Sequence, residues 1–149
     1  MKRYLLLLLL YSLLFYGCGS WLINREDRLI GRWKLASAAK LRIFNQDPIS
    51  TGYEQGIFSF YDNGQAKYSE GSLEMEGSWR LRSVSNGGYD MYGNLNSHSR
   101  TVFTVHLVNF QSNKVLNLDF DDCRFNGRNR FTAEYETFSY SYRYIFERY

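Results

Sequence analysis

Hydrophobic residues fall along this chain in two different patterns. The first is a block: after Lys2 and Arg3, the residues from Tyr4 to Tyr16 are apolar except for Ser12, and the block ends at Gly17-Cys18. A membrane-spanning helix needs about 20 apolar residues, so the block is short for one. A charged head, an apolar middle and a small-residue exit predict a secretory signal peptide. Gly19 to Arg28 has no periodicity and reads as a tether. The second pattern begins at Leu29 and is an alternation: Trp33, Leu35, Ser37, Ala39, Leu41 and Ile43 share one face, while Lys34, Lys40 and Arg42 take the other. That is period two rather than 3.6, and it predicts a long first strand.

The alternation recurs down the chain. Asn45 to Gly52, with Asp47-Pro48, reads as a loop. Gly56 to Tyr61 then puts Phe58 and Phe60 together, Asp62-Asn63-Gly64 is a hairpin turn, and Gln65 to Glu70 puts Ala66 and Tyr68 together. Leu73, Met75, Gly77, Trp79 and Leu81 alternate with Glu74, Glu76, Ser78, Arg80 and Arg82, which predicts a strand with one buried and one wet face. From Ser83 to Arg100 the rhythm fails, with Asn86-Gly87-Gly88 and Gly93-Asn94, and a long loop of the lid or insertion type is expected. Thr101 to Asn109 directs Phe103, Val105 and Leu107 inward, Val115 to Asp121 directs Leu116, Leu118 and Phe120 inward, and Asn126-Gly127 marks a further turn. In the tail the apolar positions are odd at Phe131, Ala133 and Tyr135 but even at Phe138, Tyr140, Tyr142, Tyr144 and Phe146. A change of phase sends every side chain to the opposite face, so a turn is placed at Glu136-Thr137. The expected fold is all-β, an antiparallel meander of about eight strands closing into a barrel.

Composition narrows this picture. Aromatics at 18% and a single Pro favour packed strands over disorder. The formal charge of +3 loses Lys2 and Arg3 with the leader, and the remainder is nearly neutral, so nucleic acid is not an expected partner. Cys18, directly after Gly17, resembles the lipobox of bacterial lipoproteins, in which the Cys becomes the lipidated N-terminus; Phe15 and Tyr16 stand where that motif has an aliphatic residue and Ala or Ser. Ordinary cleavage near Gly19 or Ser20 is the alternative. Lipidation of Cys18 leaves Cys123 without a disulfide partner, so the domain must be held by its core. The expected organisation is a lipoprotein signal peptide over 1–17, a lipidated tether over 18–28 and one β-domain over 29–149.

Leu29-Ile30-Gly31-Arg32-Trp33 resembles the opening of lipocalin-like proteins, whose first strand begins with Gly, any residue, then Trp. With the exported setting, the meander, a second Gly77-Ser78-Trp79 and the aromatic last strand, the whole looks like the small lipocalin-like lipoproteins of the Bacteroides group, and the resemblance covers about Leu29 to Tyr149. The resemblance implies that Gly31 and Trp33 close one end of the domain and that an Arg packs over the Trp, for which Arg143 and Arg148 both qualify. The Thr-Asp-Tyr loop motif of larger lipocalins is missing from the chain. The resemblance also implies a non-enzymatic binding protein in the bacterial cell envelope, at the outer membrane.

Motifs for catalysis are sparse. No nucleophile elbow, phosphate loop or zinc-protease helix occurs in the sequence. His98 and His106 lack metal-ligand spacing and read as solvated histidines. Asp119, Asp121 and Asp122, like Glu74 and Glu76, read as charged outer faces. No cofactor or metal is expected, and no enzyme activity. The ladder Phe138, Tyr140, Tyr142, Tyr144 and Phe146 reads chiefly as core and, more sharply, as a stacking wall, because Tyr joins an apolar ring to an orienting hydroxyl. Tyr68, Tyr140, Tyr142 and Tyr144, with Tyr89 and Tyr92 from the 83–100 loop as cover, are therefore the candidate ligand-binding residues. So many inward aromatics predict a mostly filled interior with a shallow pocket at one mouth, since an eight-stranded barrel holds either its own side chains or one small ligand. The expected ligand is a small apolar or amphipathic molecule or a glycan, and the expected membrane contact is the lipid on Cys18. The alternative is a structural or protein-binding, inhibitor-like envelope component working through its outer face or the 83–100 loop.

Overall fold

The computed structural model of the chain describes residues 25–149 except Asp90, Gly93 and Asn94; for Asn86, Gly88, Tyr89 and residues 95–98 it describes the backbone alone. Cys18 and the apolar block lie outside the described residues. A short helix, α1 (Arg25–Leu29), precedes the strands β1 (Gly31–Leu41), β2 (Gln46–Ile49), β3 (Ile57–Phe60), β4 (Gln65–Glu70) and β5 (Leu73–Tyr89). The strands β6 (Leu95–Asn109), β7 (Lys114–Phe120), β8 (Asp122–Phe125), β9 (Arg130–Glu136) and β10 (Ser141–Arg148) follow. Every pairing is antiparallel, as the short connections require. α1 spans the last residues of the expected tether, Arg25 to Arg28, and ends on Leu29, the first residue of the expected domain, which is fully buried.

The expected closed barrel of about eight strands is not what forms. Among the described residues the hydrogen-bonded order is β7-β6-β5-β4-β3-β1-β10-β9-β8, ten strands counting β2, which pairs with β1 off that path, and no ladder joins the two ends. Those ends, β7 and β8, are successive stretches of chain separated only by Asp121. The run from Lys114 to Phe125 pairs first with β6 and then with β9. At the crossing the Asp121 N–H donates to Glu134 O at 2.8 Å, its carboxylate accepts the Glu136 N–H at 3.0 Å, and Asp122 accepts from the Thr101 N–H at 3.5 Å. Carboxylates thus stand at the seam where a closed barrel would have ladder bonds.

Two predicted loops are strands. The stretch read as a loop over Asn45 to Gly52 contains β2, in which Pro48 lies opposite Ala39; a strand paired along one edge tolerates a residue with no N–H to donate. The 83–100 segment is a hairpin arm, with β5 and β6 paired without interruption from Glu76 and Val108 out to Tyr89 and Leu95. Arg82, Ser83, Ser85, Gly87, Ser99 and Arg100 are all exposed. Both faces of the arm meet water there, so the apolar alternation by which a strand is recognised has no reason to exist.

β1 carries the other correction. Its register with β10 shifts between Leu35 and Ser37, a bulge that adds one residue on β1. Trp33 and Leu35 point inward, but beyond the bulge the inward residue is Ala38 at 4% exposure, while Ser37 is exposed and Ile43 is 91% exposed. The ladder in β10 is shorter than expected as well: Tyr144 and Phe146 are buried, whereas Phe138 and Tyr140 are exposed in the turn before the strand. That turn is tied by Thr137, whose N–H donates to Tyr140 O at 2.8 Å.

The bulge is tested by two substitutions. Ala38→Asp should cost at least about 2 kcal/mol, because it buries an unpaired charge, whereas Ser37→Asp should stay within about 0.5 kcal/mol. Urea titration of both variants gives the comparison, and the opposite order would restore the uninterrupted alternation.

Candidate functional site

One end of the sheet is shut by an indole. Trp33 is fully buried, its ring meets Phe131 edge-on at 4.7 Å, and its Nε1 donates to Leu29 O at 2.7 Å. Arg148 covers the other side of the ring at 4.5 Å and donates to the carbonyls of Ile30 (3.2 Å), Arg28 (2.9 Å) and Arg128 (3.2 Å). Gly31 makes room: its φ is +130°, and a Cβ there would lie 2.5 Å from the Arg148 guanidinium. Arg143, the other candidate, instead pairs with Glu134 at 2.6 Å. α1 completes the closure, with Arg25 donating to Thr101 Oγ1 at 2.6 Å and Arg28 to Gly127 O at 2.6 Å.

Aromatic rings fill the space above this floor. Phe131 stacks on Phe146 at 4.6 Å, Phe103 meets Phe60 at 5.5 Å and Phe131 at 5.7 Å, and Phe120 meets Tyr144 at 5.1 Å. Tyr68 belongs to this filling. It is fully buried, packs on Phe58 at 4.8 Å and donates its hydroxyl to Glu70; burial, then the hydrogen bond to Glu70, pushes its pKa well above the usual tyrosine value.

The filling stops short of the other end, where a cavity of about 230 Å³ opens. Leu35 of β1 and Ile49 of β2 form one wall, Leu116 and Leu118 of β7 face them, and Phe58, Tyr53 and Tyr144 complete the lining with Ser50 and Thr51. Aliphatic side chains replace rings at this level, which leaves the gap. The Ser50–Tyr53 turn is fixed by Glu54, whose carboxylate accepts from the Thr51 N–H and hydroxyl (2.5 and 3.0 Å) and from the Gly52 N–H (3.0 Å). Those bonds, the Thr51 N–H first, hold the Glu54 pKa below its ordinary value. Tyr144 sits at 8% exposure with its pKa pushed up to about 12, by burial first and then by Tyr135, Tyr142 and Glu54. It is therefore neutral, and its hydroxyl donates to Tyr135 beside the cavity.

The predicted site residues separate on this map. Tyr144 lines the cavity. Tyr142 stacks on Tyr135 at 4.7 Å and packs against the core beside it, and Tyr140, 43% exposed, lies under the Lys40 ammonium at 3.3 Å on the rim. Tyr68 is core. Tyr89 ends β5 and Tyr92 lies exposed in the turn of the arm. The arm extends β5 and β6 past Leu81 and Phe103 on the Trp33 side, while the cavity lies toward Leu107 and Leu116, and none of the described residues of 83–100 lines it. Ile49 escaped notice because it falls in the stretch read as a loop, and Tyr53 because it lies between that stretch and the next expected strand. Their apolar character between Pro48 and Gln55 was the available signal.

A second concavity lies outside the core. The β1–β2 and β9–β10 turns stand side by side around an open groove of about 750 Å³ that includes Ile43, Phe44 and Phe138, each at least 90% exposed. Among the described residues no group of three His, Cys, Asp or Glu is placed to hold a metal. Cys123 is a buried free thiol, its pKa pushed up to about 12 by burial and by Asp122, and is poorly suited to nucleophilic work. His106 hydrogen-bonds Asn117 on the outer face, and Glu74 and Glu76 pair with Lys67 at 2.9 and 3.5 Å. No helix among the described residues is long and apolar enough to cross a membrane.

The two arginines give a direct test of the closure. Arg148→Ala should cost about 2 kcal/mol, since it removes a cation over Trp33 and three donors to backbone carbonyls, whereas Arg143→Ala loses one half-exposed ion pair worth about 0.5 kcal/mol. Chemical denaturation of the two variants distinguishes them, and equal losses would deny Arg148 its role.

Comparison with protein-family models, with curated proteins and with solved structures finds no match to this chain.

Proposed function

We propose that this chain is a lipid-anchored protein of the bacterial cell envelope, lipocalin-like in plan, that binds a small apolar or amphipathic molecule at its open end without chemically changing it. The observation that carries the reading is the cavity bounded by Leu35, Ile49, Leu116, Leu118 and Tyr144, an apolar hollow with one buried hydroxyl, in a core otherwise filled with rings. Apolar walls with few polar groups are the usual make-up of a small-molecule site. Arg148 over Trp33 supports the lipocalin-like plan. The size limits the ligand, because about 150 Å³ suffices for benzene, and 230 Å³ admits one ring or a short chain. A glycan suits these walls less well, as its hydroxyls would find few partners.

The alternative is a protein-binding envelope component. Ile43, Phe44 and Phe138 favour it, because contiguous exposed apolar side chains are uncommon on a protein surface that touches nothing. Its working surface would be these turns rather than the 83–100 arm.

Two measurements test the proposal. Cys18→Ala should move the protein from the detergent phase to the aqueous phase or leave it as an unprocessed precursor, and unchanged membrane retention of a correctly cleaved variant would remove the anchor from the reading. A thermal-shift screen of single-ring and short-chain compounds should find ligands that, at 100 times their dissociation constant, add about 2.7 kcal/mol of stability. Leu118→Trp, or Ile49→Trp where the first variant does not fold, should abolish those shifts. Shifts that survive a filled cavity would place binding elsewhere.

A further inference from the structure

The rim of the cavity carries a charge pattern that its apolar wall does not explain. On β1 the inward residue beside the cavity is Ala38, opposite Ile49 on β2 and Tyr144 on β10. Lys40 is the next residue on that face, about 7 Å nearer the open end. On β7 the inward residues are Leu116 and Leu118, paired with Leu107 and Val105 of the buried face of β6. Lys114 precedes Leu116 on the same face, again about 7 Å nearer the opening. Each wall therefore ends in a lysine.

Neither lysine is held by an acid. Among the described residues Lys40 lies over the Tyr140 ring at 3.3 Å and Lys114 over the Tyr53 ring at 5.1 Å, and neither makes an ion pair. Of the acids at this end, Asp47 is paired with a cation and Glu54 is tied to backbone N–H groups and a hydroxyl. Asp47, which faces Lys40 across the β1–β2 pairing, is bound by Arg42 at 2.7 Å and by the Asn45 amide at 3.2 Å. Glu54 accepts three hydrogen bonds from Thr51 and Gly52. A tyrosine ring parks an ammonium without neutralising it, so both cations can turn to an incoming anion.

We propose that the cavity takes an anionic amphiphile: an apolar body of one ring or a short chain, of about eight carbons, against Leu35, Leu116 and Leu118, and a single negatively charged head between Lys40 and Lys114. The inference rests on the cavity being a binding site and adds the charge and length of what enters it. Long-chain lipids are excluded by volume, because their tails exceed a hollow only about half again as large as one that accepts benzene.

Isothermal titration of the intact domain with three probes of equal length, octanoate, 1-octanol and octylammonium, all below micelle-forming concentration, tests it. Octanoate should bind about three- to tenfold more tightly than octanol, the range expected of two partly exposed charge contacts, and octylammonium should bind most weakly. The Lys40→Met, Lys114→Met double variant should bring octanoate down to octanol while leaving octanol unchanged, and added salt should weaken octanoate alone. Equal binding of octanoate and octanol by the wild-type chain, or octylammonium as the best ligand, would overturn the anionic head and leave the cavity as the site. Dodecanoate binding better than octanoate would overturn the length limit. No binding by any probe would overturn the cavity reading, and this inference with it.

Discussion

The closure of one end by Trp33 is the constraint on which the rest of the molecule depends. The indole is held from three sides, by Phe131 within, by Arg148 outside and by its own hydrogen bond to Leu29 O, and each contact comes from a different part of the chain. Those contacts join the N-terminal helix, the first strand and the last two strands at one point. An open sheet would otherwise expose its interior at both ends. Here the aromatic filling begins at that floor and thins toward the opposite mouth, so closure at one end determines that any cavity lies at the other.

The second constraint is the seam. Between β7 and β8 the chain changes partners at Asp121, from β6 to β9, and no ladder can continue through a residue whose neighbours bond in opposite directions. Asp121 and Asp122 supply acceptors to the N–H groups of Glu136 and Thr101 across that gap. Two of the acids that read in sequence as an outer charged face, Asp121 and Asp122, thus act as hydrogen-bond acceptors for backbone that lacks a strand partner on the seam side. A seam of side-chain bonds is looser than a ladder, and the sheet can remain open there without leaving its edges unsatisfied.

Legibility in the sequence followed the presence of one dry face. Where a strand has such a face, as in Leu73–Leu81 or Phe103–Leu107, the alternation predicts both the strand and its inward residues. Where both faces are wet, as in the 83–100 arm, or the strand is short and carries Pro48, the signal vanishes although the backbone still pairs. The β1 bulge is a different failure. Ser37, Ala39 and Ala38 are all small enough to fit either face, so nothing in the residues marks where the phase changes, and register with β10 decides it. The site shows the same division: Tyr144, Leu116 and Leu118 were readable as inward, whereas Ile49 ends the short strand that carries Pro48 and Tyr53 comes from a turn fixed by Glu54, whose hydrogen bonds no periodicity encodes.

The distribution of side-chain size along the interior explains why the mouth, and not the middle, is where a ligand fits. Near the floor five strands contribute rings: Trp33, Phe60, Phe103, Phe131 and Phe146 are all buried. Toward the opening β1, β6 and β9 contribute Leu35, Leu107 and Ala133 instead, with Leu116 and Leu118 on β7, and smaller side chains leave space. The gap that results is small, because Phe58 and Tyr144 still reach into it. A larger calyx would need those rings removed, and each is tied into the stack above Trp33, Phe58 through Phe146 and Tyr144 through Phe120 to Phe103 and Phe146. The packing that shuts one end therefore also sets the depth of the hollow at the other.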